Sequence, residues 1–328
     1  MRIRMSGAVG ARDGKELKVT SDTGNSMAAC PNVVAKFTLS SEISNDNLVP
    51  LLLGDTVVVT LLSETMVPFL KWAGGKRWLF ERGLAVSLES YVRHIEPFLG
   101  GGAAFFAVQP RRALLSDVNP ELINLYEQVR DHPEEIASGL EELQSLHSKD
   151  FYYEMRRKRP ESSLERAIRT IYLNRTCWNG LYRVNRKGEF NVPIGTKSSV
   201  VLDTDDFKRA SELLNSAVIK TCDFEETIQQ ASEGDLVFID PPYTVKHNVN
   251  GFVKYNEAIF TWSDQVRLRD CARDAALRGA TVIITNADHS SIRDLYSFAN
   301  RIESIERSSV ISGVASARAR TTELMITL

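Results

Sequence analysis

The chain has 328 residues, 43% of them hydrophobic and 25% charged, with a formal net charge of −2, values ordinary for a soluble globular protein large enough for two domains. Neither a membrane span nor a secretory leader is expected: the longest apolar stretch, 48–62, is broken by Pro50, Gly54 and Asp55, and no apolar core follows the basic residues of 1–7. Four cysteines, Cys30, Cys177, Cys222 and Cys271, lack metal-ligand spacing, which points to reduced thiols and a cytoplasmic protein.

Residues 1–65 contain one aromatic, Phe37, and three β-like runs at 16–20, 33–39 and 56–62 separated by turn formers. They read as an N-terminal extension, either a small β module or a weakly ordered segment, and they carry no recognisable chemistry. From residue 92 strands and helices alternate. A strand at 92–98 runs into Gly100-Gly101-Gly102 and a helix at 103–108; a second strand, 112–115, ends at Ser116-Asp117 and a helix starts at Pro120. Residues 131–215 read as helical and charged, with an irregular insert at 174–197. Strands resume at 235–239 and 280–285, and two β-like runs, 301–310 and 322–328, close the chain across a Gly/Ser/Ala-rich link. The pattern predicts an α/β fold: a doubly wound, Rossmann-like, mostly parallel sheet formed by 66–130 and 216–328, with 131–215 inserted as a helical second domain.

The stretch FIDPPYT, 238–244, ends an apolar strand with Asp240, then Pro241, Pro242 and Tyr243. Prolines fix φ and lack an N–H, so the plain reading is a turn. Ligands of open α/β sheets, however, bind beyond the carboxyl ends of the strands, where this acid and ring lie. A carboxylate, carbonyls left free by the prolines and an aromatic face suit a planar ring bearing an NH₂ group. The glycine turn after Phe98 lets a ligand approach the backbone, and Asp117, at the end of the next strand about twenty residues on, stands where an acid binds ribose hydroxyls. Phe105 occupies the place of the last glycine of the pyrophosphate fingerprint, which favours a nucleoside without phosphates. Gly74-Gly75-Lys76 is no phosphate loop, since Leu70 and Arg77 stand where a glycine and a Ser/Thr are required. Between Phe151 and Phe190 ten Lys/Arg face four Glu, a net +6 that leaves −8 for the remainder. Such a run is ordinarily a solvated face; here Tyr172, Trp178 and Tyr182 interleave it, a mixture suited to phosphates and bases.

Five segments in this order, PFLKWAGGK, EPFLGGGAAFF, SDVNPELINLY, LNRTCWNGLYRVNRKGEFNVPIG and FIDPPY, resemble the DNA adenine-N6 methyltransferases of the Dam family. The resemblance covers about 67–328 and implies S-adenosylmethionine as cofactor, double-stranded DNA as substrate and a monomeric enzyme without a metal. Position by position it implies that Trp72, Lys76, Phe98, Gly100, Asp117, Asp223, Phe224 and Asp240 border the cofactor. Asp240, Pro241, Pro242 and Tyr243 would act on the target base. Among DNA contacts, Lys71 corresponds to a residue that touches a flanking base pair. Leu181, Arg183 and Pro193 correspond to readers of bases outside the target in relatives that methylate GATC. Trp178 and Asn179 correspond to residues near the flipped base or its orphan partner, with Trp178 replacing a usual Tyr/Phe. The segment after Gly195 departs from the family pattern at the outer base. Three rivals stay open: an N4-cytosine methyltransferase with the same amine chemistry, a protein-glutamine methyltransferase, whose motif typically begins with Asn, and an inactive DNA-binding relative.

Overall fold

The computed structural model describes residues 48–53, 56–61, 66–81, 91–185, 187–246, 260–308 and 320–328. The β-like runs expected at 16–20 and 33–39, and the link at 311–319, lie outside them. The chain divides into two compact units, Met1–Glu64 and Thr65–Leu328. In the first, β1 (Leu48–Leu53) and β2 (Thr56–Leu61) form an antiparallel hairpin in which Leu53 faces Thr56. The run of five β-branched residues in β2, Thr56 to Thr60, suits such a ribbon.

The second unit begins with the short helix α1 (Arg77–Glu81), followed by β3 (Arg93–Glu96), α2 (Ala103–Val108) and β4 (Ala113–Asp117). Helices α3 (Pro120–Asp131), α4 (Pro133–Leu146), α5 (Lys149–Arg157), α6 (Ser163–Thr176) and α7 (Phe207–Leu214) then intervene before β5 (Ala217–Thr221). The chain continues through α8 (Phe224–Ile228), β6 (Asp235–Ile239), α9 (Trp262–Leu277), β7 (Thr281–Ala287), α10 (Ser290–Leu295), β8 (Arg301–Ser308) and β9 (Arg320–Thr327). The seven strands lie in the order β5-β4-β3-β6-β7-β9-β8; all pairings are parallel except those of β9. The chain starts in the centre at β3, runs outward to β5, then returns to β6 on the other side of β3. That reversal opens a crevice between the carboxyl ends of β3 and β6.

Side chains of the central strands divide between the two faces with the period of a strand. On β4, Ala113 and Leu115 join the core under α3, α4, α6 and α7, while Leu114 joins the core under α8, α9 and α10. All five residues of β6 are buried, as expected of a strand covered on both faces. Local signals set the helix starts: Asn119 accepts from the N–H of Glu121 and of Leu122 and is followed by Pro120, and Thr261 with Asp264 makes a reciprocal capping box for α9.

Several boundaries differ from the sequence reading. The strand expected at 92–98 is confined to Arg93–Glu96, because the chain turns away at Pro97 and Phe98 to form the glycine corner. The next strand spans Ala113–Asp117, two residues longer at its end than the run 112–115, with Asp117 at the strand end where the sequence places it. Asn174, taken as the start of the irregular insert, is in the last turn of α6. Its side chain is buried and hydrogen-bonded, so the residue suits a helix interior. Strand β5 was not anticipated: Val218 and Lys220 on this edge strand are exposed, and the run is short.

Candidate active site

Asp240 leaves β6 at the crevice. Its Oδ1 accepts from Thr285 Oγ1 on β7 at 2.7 Å and from Lys76 Nζ at 2.9 Å. Among the described residues no side chain donates to its other oxygen. Lys76 is only 2% exposed; its ammonium also donates to the Gly74 carbonyl at 2.6 Å and lies 3.6 Å from Glu323 Oε2 on β9. The same glutamate oxygen accepts from the Tyr243 hydroxyl at 3.0 Å, and the Lys76 ammonium stands 4.9 Å from the centre of the Tyr243 ring. Burial pushes the Asp240 carboxyl above the usual carboxylate range, against the opposing pull of Lys76 and Thr285. Burial, with Asp240 and Glu323 nearby, drives the Tyr243 phenol well above 10, so it stays neutral and donates. Pro241 is buried and Pro242 half-buried; Gln265 Nε2 lies 3.5 Å from the Pro242 carbonyl.

Across the crevice, Gly100 and Gly102 adopt φ of 48° and 65°. A Cβ on Gly100 would lie 2.8 Å from Trp72 Cδ1, and one on Gly102 would lie 2.8 Å from the Tyr126 hydroxyl. Glycine is thus required both for conformation and for space. Asp117 Oδ2 accepts from the Gly100 N–H at 3.1 Å, and Oδ1 from the Asn119 N–H at 3.0 Å. Burial raises the pKa of this carboxyl, with those N–H groups opposing. Phe98 stacks on Phe224 with centroids 5.3 Å apart and planes 23° apart. Asp223 caps α8 through the Glu225 N–H and holds Arg267, whose guanidinium lies 4.2 Å over the Phe224 ring. Trp72, Phe98, Gly100, Asp117, Asp223 and Phe224 thus gather at the carboxyl ends of β3, β4 and β5, with Asp240, Lys76 and Tyr243 at those of β6 and its neighbours.

The insert is tied to the same edge through the segment before Lys76. Buried Asn174 accepts from the Lys71 N–H at 3.0 Å and donates to the carbonyls of Lys71 at 2.8 Å and Gly180 at 3.2 Å. Trp72 stacks on Tyr182 at 5.3 Å, and the Lys71 stem packs on Gly180, where a Cβ would lie 2.6 Å from Lys71 Cδ. Trp178 is 50% exposed, Asn179 has φ 56°, and the Trp178 N–H donates to the Pro193 carbonyl at 2.9 Å. Lys71, Trp178, Asn179, Arg183 and Pro193 are exposed, and Leu181 is half-buried. The Arg183 guanidinium is steadied by Asn191 Oδ1 at 2.8 Å.

Not every cation of the +6 run belongs to a free basic face. Arg175 is buried at 7%, paired with Asp205 at 2.6 Å and donating to the carbonyls of Val200 and Phe69. Arg169 donates to the carbonyls of Met155 and Arg156 at the end of α5. Sequence reasoning missed Thr285, Glu323 and Arg267. Thr285 had a faint signal, a hydroxyl near the carboxyl end of a strand next to the Asp240 strand. Glu323 had only its place as an acid beside the apolar run that ends the chain. Another unanticipated pair is His94 and Glu96, both buried on β3, with Nε2 and Oε2 3.1 Å apart; Glu96 also accepts from the Phe105 N–H at 3.0 Å.

A mixed seven-stranded sheet of this order, with an Asp-Pro-Pro-Tyr corner at its carboxyl edge, is the framework of a methyltransferase acting on an exocyclic amine. Residues 72–310 match the profile of the D12 class N6 adenine-specific DNA methyltransferases, and the chain belongs to that family. Type II methyltransferase M1.LlaDCHI of Lactococcus lactis subsp. cremoris is 38% identical over 269 residues, covering 79% of this chain and 94% of the relative. Type II methyltransferase M.MjaIII of Methanocaldococcus jannaschii is 36% identical over 67% of this chain and 84% of its own. The DNA adenine methylase of Escherichia coli K12 is 30% identical over 78% of this chain and 93% of its own. Among the described residues no helix is long and apolar enough to cross a membrane.

Proposed function

We propose that this enzyme transfers a methyl group from S-adenosylmethionine to N6 of an adenine flipped out of duplex DNA, within the sequence GATC. The observation that carries the reading is the asymmetry of Asp240. One oxygen is saturated by Thr285 and Lys76, and the other remains for an amine. The adenine N6 lone pair is delocalised into its ring and is a poor nucleophile. Hydrogen bonds from N6–H₂ to Asp240 Oδ2 and the Pro241 carbonyl favour a pyramidal nitrogen with its lone pair directed outward. Positioning of this kind supplies a large part of a rate enhancement. The carboxylate stabilises the positive charge that N6 acquires as the new N–C bond forms. Tyr243 stacks on the extruded base, and Pro241 and Pro242 keep the receptor rigid.

The opposite wall fits the cofactor by its chemistry. Asp117 offers a carboxylate to ribose hydroxyls, Phe98 and Phe224 offer an aromatic pair to a purine, Asp223 an acceptor to its amine, and Trp72 with Gly100 an open backbone turn. Bound there, S-adenosylmethionine supplies a methyl group on a cationic sulfur. Lys76 serves this wall less than the resemblance implies, because its ammonium is spent on Gly74, Asp240 and Glu323. The inserted helices, 131–215, form the target-recognition domain in this reading, with Lys71, Leu181, Arg183 and Pro193 reading flanking bases. Trp178 and Asn179 attend the flipped base or the partner it leaves.

Asp240→Ala tests the reading. Methyl transfer is expected to fall on the order of 10²-fold or more, with duplex affinity unchanged, because the carboxylate meets the flipped amine and not phosphates. Turnover within a few-fold of wild type removes Asp240 from the chemistry.

A further inference from the structure

The methyl-transfer corner holds three charges, and the third has no assigned part. Glu323 is 7% exposed on β9, a strand fixed from both sides by pairing Glu323 with Ala287 of β7 and Ile305 of β8. Its Oε2 receives the Tyr243 hydroxyl at 3.0 Å and faces the Lys76 ammonium at 3.6 Å. We propose that Glu323 is a positioning residue for methyl transfer, which fixes the Tyr243 ring by its hydroxyl and shares the Lys76 ammonium with Asp240. The inference rests on the reading of Asp240 and Tyr243 given above.

Two physical consequences follow from that placement. A buried ammonium needs a countercharge. With Asp240 alone, Lys76 would neutralise the very carboxylate that must stabilise the charge developing on N6. With Glu323 present the cluster of two carboxylates and one ammonium keeps a net negative charge, and the surplus is available to the reacting amine. Secondly, Tyr243 follows two prolines, and its hydroxyl, which also interacts with Thr285 of β7, is anchored on the far side by Glu323 of β9. The hydroxyl bond to a strand that cannot shift sets the plane on which a base stacks. An acid on an antiparallel strand 80 residues away thereby orients both catalytic groups without touching the substrate.

The test measures single-turnover methyl transfer at saturating S-adenosylmethionine and adenine-containing duplex for Glu323→Ala, Glu323→Gln, Tyr243→Phe and the Glu323→Ala/Tyr243→Phe double variant. Affinities for duplex and cofactor are measured directly alongside, and Asp240→Ala serves as reference. The rate of Glu323→Ala is expected to drop about 10-fold or more, by analogy with the loss of one preorganised electrostatic group, with both affinities within about twofold of wild type. Glu323→Gln keeps an acceptor for the hydroxyl but loses the charge, so its rate should lie between wild type and Glu323→Ala. Because Glu323→Ala already breaks the bond the two side chains share, Tyr243→Phe should slow the Glu323→Ala background by less than it slows wild type. A Glu323→Ala rate within twofold of wild type, beside an inactive Asp240→Ala, overturns this inference alone. So does a loss of affinity that accounts for the whole loss of rate, or a double variant in which the two losses multiply. An active Asp240→Ala instead overturns the reading beneath it.

Discussion

Asp240 shows how one residue can be described by its two oxygens. Thr285 and Lys76 hold Oδ1, and burial, the largest influence, pushes the carboxyl pKa up. In the proposed mechanism the carboxylate is the active form, so activity should be lost on the acid side at a pH above that of an ordinary aspartate. Thr285→Val removes a donor that favours the anion and should raise that pKa further, moving the acid limb of kcat to higher pH while the plateau persists. Lys76, Glu323 and Tyr243 face the same carboxyl, and buried Glu96 adds a second titrating acid nearby; in this variant Tyr243 loses its bond to Thr285 and keeps that to Glu323, while the others are untouched. A pH–rate profile under single-turnover conditions checks it. A limb that stays in place or moves down contradicts the role given to Thr285.

At the scale of elements, the segment 174–197, the recognition insert of the proposed function, is organised by hydrogen bonds to its backbone. Asn174 at the end of α6 clamps the Lys71 and Gly180 backbones, and the Trp178–Pro193 hydrogen bond closes the loop. Arg183 is exposed and steadied by Asn191, and the proposed function makes it a reader of base edges. Arg183→Ala should therefore relax sequence choice by roughly 1–3 kcal/mol of discrimination at one position, more than it weakens binding. Methylation mapped over a random-sequence duplex pool reports it; a target that stays sharp while only salt sensitivity changes makes Arg183 a phosphate contact. The legibility of elements followed their burial. Strand β6 was readable from its sequence because a strand buried on both faces is a plain apolar run bounded by turn signals. The edge strand β5 was not, since solvent on one side lets Val218 and Lys220 stand exposed and erases the pattern. The Asp-Pro-Pro-Tyr corner and the glycine turn were legible as local motifs. Their supports were not: Thr285 reaches Asp240 from 45 residues away and Glu323 reaches Tyr243 from 80, contacts that only the strand order creates. Arg175 was misleading for the same reason, its charge being absorbed by Asp205, 30 residues further on.

For the whole molecule, the compact unit Thr65–Leu328 contains every residue given a part in the reaction. A chain of residues 66–328 should therefore be soluble and should methylate DNA, with at most a modest loss of stability; circular dichroism and a transfer assay check this. A soluble 66–328 that cannot methylate would make the N-terminal extension part of the catalytic machine. Family membership gives adenine as the target, and the proposed mechanism gives N6 as the atom and the flipped base as its setting. The most direct measurement is to incubate the full-length protein with methyl-labelled S-adenosylmethionine and a duplex containing GATC, digest the DNA to nucleosides and separate them. The account predicts label in N6-methyl-2′-deoxyadenosine alone, abolished when the GATC adenine is replaced by an already methylated one. Label in N4-methyl-2′-deoxycytidine, label retained on protein, or no transfer to any duplex would contradict it.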